Sequence, residues 1–253
     1  MDGVFEGKND VSAIFFDLDN TLIQTRKGDS KACNKMVQIL MNEYGISDDV
    51  ANESATKFLR VFRDCPDNES YGINEWPANL WRNCLPKNYR HIANNVSAEW
   101  LNLRFKCLAL TSDVIHLLET LREDYLLGLI TNGPSRAQWQ KIERLGLRKY
   151  FDCVLVSGDL PWEKPDQNIF LEACKLLNVE ARTCIMVGDK LETDIQGGIE
   201  AELGGTVWIP LHKEESQSSL PDVTIHKVTE LPEVLPNSPK LKRQIQKARA
   251  TVL

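Results

Sequence analysis

Asp17 and Asp19 stand one residue apart at the end of an apolar run, in the stretch IFFDLDNT at 14–21. A carboxylate at a strand end is ionised at neutral pH and can attack an electrophile, relay a proton or ligate a hard cation. Other polar groups follow similar apolar runs: Thr131 and Asn132 after YLLGLI, Asp189 after TCIMVG, and Lys164 in EKP, downstream of CVLV. Three carboxylates crowded out of water repel one another unless a hard cation sits among them, and oxygen ligands suit magnesium. Each residue also has a plainer reading. Asp19-Asn20-Thr21 could end a strand and cap a helix, Thr131-Asn132-Gly133 could be a turn, and Lys164 could be a surface charge before Pro165. Their joint occurrence at matching positions favours chemistry.

The elements that must position these groups are short, β-branched and aromatic runs: VSAIFF at 11–16, YLLGLIT at 125–131, CVLV at 153–156, TCIMVG at 183–188 and TVWI at 206–209. They read as buried strands. Helix-period segments lie between them, as in NIFLEACKLL at 168–177, where Ile169, Phe170, Ala173, Leu176 and Leu177 share a face. Alternating strands and helices predict a parallel sheet, whose ligand crevice lies beyond the carboxyl ends of its strands. The four polar clusters all fall at such ends.

The alternation breaks once, between the first strand and YLLGLIT. KACNKMVQILMNEYG, DDVANESATKFLRVFRD and SAEWLNLRFKCLAL read as successive amphipathic helices, with Gly45 after one end. The fold class expected is therefore α/β, a Rossmann-like parallel sheet core with an inserted α-helical domain. The core is expected over 1–25 and 109–253 and the insert over 26–108, with linkers around TRKGDS and LTSD. Trp76, Trp81 and Trp100 fall in the insert and are expected to pack its interior.

Composition excludes several classes. The 253 residues are 42% hydrophobic and 26% charged, with a net charge of −6, which disfavours nucleic acid as a partner. The basic stretch KLKRQIQKAR reads as a solvated tail or helix face. No apolar run approaches the roughly 20 residues of a membrane span, and MDGVFEGKND lacks a basic segment followed by an apolar one. Seven cysteines without a CxxC pair fit reduced thiols in a cytoplasmic protein, and four isolated histidines argue against structural zinc.

Four ordered motifs, DLDNTL at 17–22, TNG at 131–133, EKP at 163–165 and GDKLETD at 188–194, resemble those of the haloacid dehalogenase superfamily of phosphatases. The resemblance implies that Asp17 is a nucleophile forming an aspartyl phosphate. Asp19 would be the acid that protonates the leaving oxygen and the base that then activates water. It implies Mg²⁺ held by the Asp17 carboxylate, the Asp19 main-chain carbonyl and Asp189. Phosphoryl oxygens would be received by the main-chain N–H groups of Leu18 and Asn132, by the Thr131 hydroxyl, the Asn132 amide and the Lys164 ammonium. Asp194 is left between supporting a metal water or Lys164 and favouring a helix N-terminus. The insert would be the cap that closes over the pocket. The flanking stretches FFDLDNTLI, EKPDQNIF and MVGDKLETDIQGG resemble members of the superfamily whose substrate is a small phosphorylated sugar acid, the alternatives being a phosphatase for phosphoglycolate or another sugar phosphate and a catalytically silent scaffold of the same fold. For that ligand the cap should present a cation to the sugar carboxylate, with Arg63, Arg82 and Arg104 as candidates.

Overall fold

The computed structural model of the chain describes residues 11–212 and 218–236; the stretches MDGVFEGKND and KLKRQIQKAR lie outside them. The chain forms two compact units. An α/β unit comprises the chain through Ile23, Leu110–Ser135 and the chain from Gly146 onward, and a helical unit comprises Gln24–Ala109 and Arg136–Leu145.

The α/β unit is built on six strands, β1 (Ala13–Phe16), β2 (Leu126–Thr131), β3 (Cys153–Val156), β4 (Cys184–Gly188), β5 (Gly205–Trp208) and β6 (Val223–Thr224). All pair in parallel, in the order β3-β2-β1-β4-β5-β6. The five expected strands are present. The sixth has two residues, too few to leave a period in the sequence. Every residue of β1, β2 and β4 is buried, as in a parallel sheet covered by helices. Those helices include α5 (Ser112–Asp124), α7 (Gln167–Leu177) and α8 (Gln196–Glu200). The Asp166 side chain caps α7 by accepting from the Asn168 N–H, and Asn178 closes the helix in the left-handed region. Ile169, Phe170, Ala173 and Leu177 are buried as expected. Leu176 is 50% exposed instead, because it lies at the flank of the buried arc that Cys174 completes on the other side.

Strand order reverses between β1 and β4, which are neighbours in register from Ala13 with Cys184 to Phe16 with Val187. A parallel sheet opens its ligand crevice at such a reversal, because the connections leave in opposite directions.

The helical unit contains α1 (Thr25–Asn42), α2 (Asp48–Asp64), α3 (Glu75–Cys84), α4 (Ala93–Leu108) and most of α6 (Ser135–Arg144). Its core is aromatic. The Phe58 ring stacks on Trp81 at 4.1 Å between centroids and meets Trp100 edge-on at 4.7 Å. Trp76, Trp81 and Trp100 are all buried. The expected linker TRKGDS is instead the opening of α1. Its glycine is there for packing: a Cβ on Gly28 would come within 2.5 Å of the Leu108 side chain. Its aspartate is buried, with Asp29 Oδ1 accepting from Arg104 Nε at 2.7 Å. The expected linker LTSD runs into α5, whose first residues are Ser112 and Asp113, with Thr111 as the cap whose hydroxyl accepts from the Val114 N–H.

Candidate active site

Asp17 follows β1 directly, and its N–H donates to the Val187 carbonyl at 2.9 Å, so the β1–β4 ladder carries it to the strand end. The chain then folds into a tight turn. The Leu18 carbonyl accepts from the N–H groups of Leu22 and Ile23, both at 3.1 Å, and Asn20 takes φ 66°, a conformation asparagine tolerates better than most residues. In this turn Asp19 pairs with Ile23 through an isolated bridge.

Asp189 follows β4. Trp208 on neighbouring β5 holds it, donating from Nε1 to the Asp189 carbonyl oxygen at 2.9 Å, and Asn20 Nδ2 reaches its carboxylate at 3.5 Å. A single π-helical turn, Leu191–Ile195, then brings Asp194 back under the strand end. Asp194 Oδ2 accepts from the Lys190 N–H at 3.0 Å. Gly188 makes this return possible, since a Cβ there would lie 2.3 Å from the Asp194 carboxyl.

Lys164 enters from the loop before α7, pinned by Asn132: Asn132 Nδ2 donates to the Lys164 carbonyl at 2.8 Å, and the Lys164 N–H donates to Asn132 Oδ1 at 2.9 Å. The ammonium donates to Asp17 Oδ1 and to the Ile130 carbonyl, each at 2.7 Å. Asp194 Oδ1 lies 2.7 Å from the same nitrogen as an ion pair, off the direction of a hydrogen bond. Lys164, Asp17, Asp189 and Asp194 are all buried. Thr131, the last residue of β2, is buried next to Asn132.

The charges do not balance, because three carboxylates surround one ammonium. Burial pushes the Asp17 carboxyl up to about 7, with Asp194, Asp189 and Asp19 adding to the effect and Lys164 opposing it. Burial likewise raises Asp189 to about 6, reinforced by Asp194. Burial alone would lower Lys164, yet Asp17 and Asp194 outweigh it and hold the ammonium protonated, above its ordinary value. Oxygen atoms of Asp17, Asp189 and Asp194 lie within 4.8 Å of one another. An all-oxygen donor set with surplus negative charge fits a hard divalent cation of the magnesium type.

The sheet thus brings together Asp17, Lys164 and Asp189, with Asp194 as a full member of the cluster. Asn132 differs from expectation, since its side chain is engaged in holding the Lys164 loop. Asn20, Trp208 and Gly188 support the site without having been singled out in the sequence. TVWI reads simply as a strand, and neither the left-handed turn at Asn20 nor the close return of Asp194 leaves a local signal. In the helical unit, Arg104 is buried and committed to Asp29, and Arg63 donates to the Arg26 carbonyl at 2.7 Å. Arg82 donates to Asn94 Oδ1 at 3.0 Å and lines a cavity.

Comparison with known proteins agrees with this geometry. A family profile described as haloacid dehalogenase-like hydrolase matches residues 14–206. The chain is 34% identical over 240 residues to human N-acylneuraminate-9-phosphatase, covering 90% of this chain and 95% of that protein. It is 31% identical over 227 residues to glyceraldehyde 3-phosphate phosphatase of Pyrococcus furiosus, covering 89% and 92%. Among solved structures, a HAD phosphatase from Thermococcus onnurineus superposes with a TM-score of 0.60 at 28% identity, over 88% of this chain and 97% of that one.

Proposed function

Because this chain belongs to the haloacid dehalogenase-like hydrolases, we propose that it is a magnesium-dependent phosphomonoesterase that hydrolyses N-acylneuraminate 9-phosphate through an aspartyl phosphate on Asp17. The buried cluster of Asp17, Lys164, Asp189 and Asp194 at the β1–β4 strand ends carries the reading. A surface arrangement of acids would have no need to bury three carboxylates around one ammonium.

The Asp17 carboxylate, oriented by Lys164 through Oδ1, attacks phosphorus, and the bond to the leaving sugar oxygen breaks. Asp19 donates a proton to that oxygen. It then accepts a proton from the water that attacks the aspartyl phosphate, which releases inorganic phosphate and restores Asp17. The Leu18 and Asn132 main-chain N–H groups, the Thr131 hydroxyl and Lys164 receive the phosphoryl oxygens. The Lys164 ammonium already has oxygens of Asp17, Ile130 and Asp194 at 2.7 Å, so its part is to place a fixed positive charge beside the phosphoryl group. Asp17, Asp189, Asp194 and the Asp19 main-chain carbonyl would hold Mg²⁺, which when bound neutralises carboxylate charge and polarises the phosphoryl group.

The substrate assignment is supported by the likeness to N-acylneuraminate-9-phosphatase over nine-tenths of the chain. With that substrate the proposed activity would belong to sialic acid biosynthesis. Seven unpaired thiols suit a reducing cytoplasm, and among the described residues no helix is long and apolar enough to cross a membrane. The test is a panel of phosphate esters assayed with and without Mg²⁺. N-acetylneuraminate 9-phosphate should exceed glyceraldehyde 3-phosphate, phosphoglycolate and hexose 6-phosphates in kcat/KM by at least about tenfold, or roughly 1.4 kcal/mol of transition-state stabilisation. Preference for glyceraldehyde 3-phosphate would move the assignment to the activity of the Pyrococcus relative and leave the chemistry in place.

A further inference from the structure

The helical unit carries a cavity of about 550 Å³ whose lining takes no part in the phosphoryl transfer described above. Pockets of this size hold small metabolites. Ala78, Leu101 and Ser97 are its buried residues. Ser97 Oγ meets no hydrogen-bond partner among the described residues, although folded proteins seldom bury a hydroxyl unsatisfied.

Two guanidinium groups line the same cavity, each held by a group that leaves its charge intact. Arg82, on α3, donates to the amide oxygen of Asn94 at 3.0 Å, and Arg144, on α6, lies over the Phe105 ring with Cζ 4.9 Å from its centroid. The lining contains one carboxylate, Glu75, which accepts from the Gly72 N–H. Asn79 and Asn102 add amides, and the partly exposed Tyr71 adds an aromatic face.

Paired guanidinium groups select an anion, while amides and an orphaned hydroxyl select ligand hydroxyls. An aromatic face beside small apolar residues suits the C–H face of a sugar ring. We propose that this cavity is a second binding site, taking a small hydroxylated organic anion the size of a monosaccharide acid or monosaccharide phosphate. The site does not rest on the phosphatase reading, because its lining belongs to the helical unit and its ligand need carry no ester to cleave.

Calorimetric titration of the full-length Asp17→Asn chain tests it with N-acetylneuraminate, glucose 6-phosphate, neutral N-acetylmannosamine and inorganic phosphate as probes. One anionic sugar should bind at least about tenfold more tightly than the neutral sugar, and which one binds identifies the anion as carboxylate or phosphate. Arg82→Gln and Arg144→Gln should each weaken binding about tenfold, and Ser97→Ala several-fold. Ala98→Trp, at an exposed position lining the cavity, should block binding with both arginines intact. Absence of binding at millimolar concentration, equal binding of the neutral sugar, or indifference to the arginine and Ala98 variants would each overturn the site. Hydrolysis of phosphate esters is read in a separate assay, so either conclusion can fail alone.

Discussion

Lys164 spends its charge on two carboxylates at once, so the state of Asp17 depends on a partner that Asp194 shares. Asp17→Asn keeps the size and the acceptor for Lys164 but removes the proposed nucleophile and one negative charge. Hydrolysis of an aryl phosphate should fall by at least about a thousandfold while the circular dichroism spectrum is unchanged. Near-normal turnover in a folded sample would end the covalent mechanism. Gly188→Ala addresses the same cluster from below. Its new methyl would meet the Asp194 carboxyl at 2.3 Å, and Asp194 sits in the π-helical turn Leu191–Ile195. We expect a loss of about 1–3 kcal/mol in urea unfolding together with weaker magnesium binding by calorimetry. Unchanged stability would show that the turn relaxes around a side chain.

At the scale of elements, α1 and α4 are joined by a buried ion pair rather than by apolar side chains alone. Asp29→Ala leaves Arg104 buried without its carboxylate, and should cost about 3–5 kcal/mol of unfolding free energy in denaturant titration. The double variant Asp29→Leu/Arg104→Met should recover most of that. If Asp29→Ala unfolds like the parent protein, the pair contributes nothing to holding these helices. This contact also marks the limit of what local sequence reveals. The five longer strands were legible because each is a buried run bounded by turn residues, and α2 was legible because its acidic start and apolar period coincide with the helix, Asp48–Asp64. TRKGDS was not, since glycine and three charged residues resemble a loop until Leu108 and Arg104 supply the partners. That Asp17, Asp189 and Lys164 come together was legible from their type and their positions at strand ends. For Asp194 the sequence left support of Lys164 as one of several readings; the ion pair that agrees with it depends on a turn of five residues closing over a glycine, and the occupation of the Asn132 amide depends on a loop 32 residues away.

At the scale of the whole molecule, the buried cluster ties stability to pH and to metal. Asp17 and Asp189 hold protons more tightly in the folded chain than their ordinary value of 3.8 allows, up to about 7 and about 6. The folded state therefore binds more protons than the unfolded chain across that window, and without metal its stability should fall as pH rises from about 4 to about 7. The proposed magnesium ion would compete with protons for the same oxygens, so it should raise the melting temperature more at about pH 8 than at about pH 5.5. Scanning calorimetry with EDTA and with Mg²⁺ at both pH values checks this, and an equal shift at the two would place the ion elsewhere. One further consequence follows from the Gly28 contact with Leu108. The first turn of α1 and the last of α4 lie side by side, as Asp29 and Arg104 also require, while β1 and β2 on either side of the insert are paired from Ala13 with Leu126 onward. A segment whose entrance and exit are neighbours can be spliced between two neighbouring strands without prising them apart. The Gln24–Ala109 stretch of the helical unit can therefore change in length or sequence without shifting the register of β1 on β2.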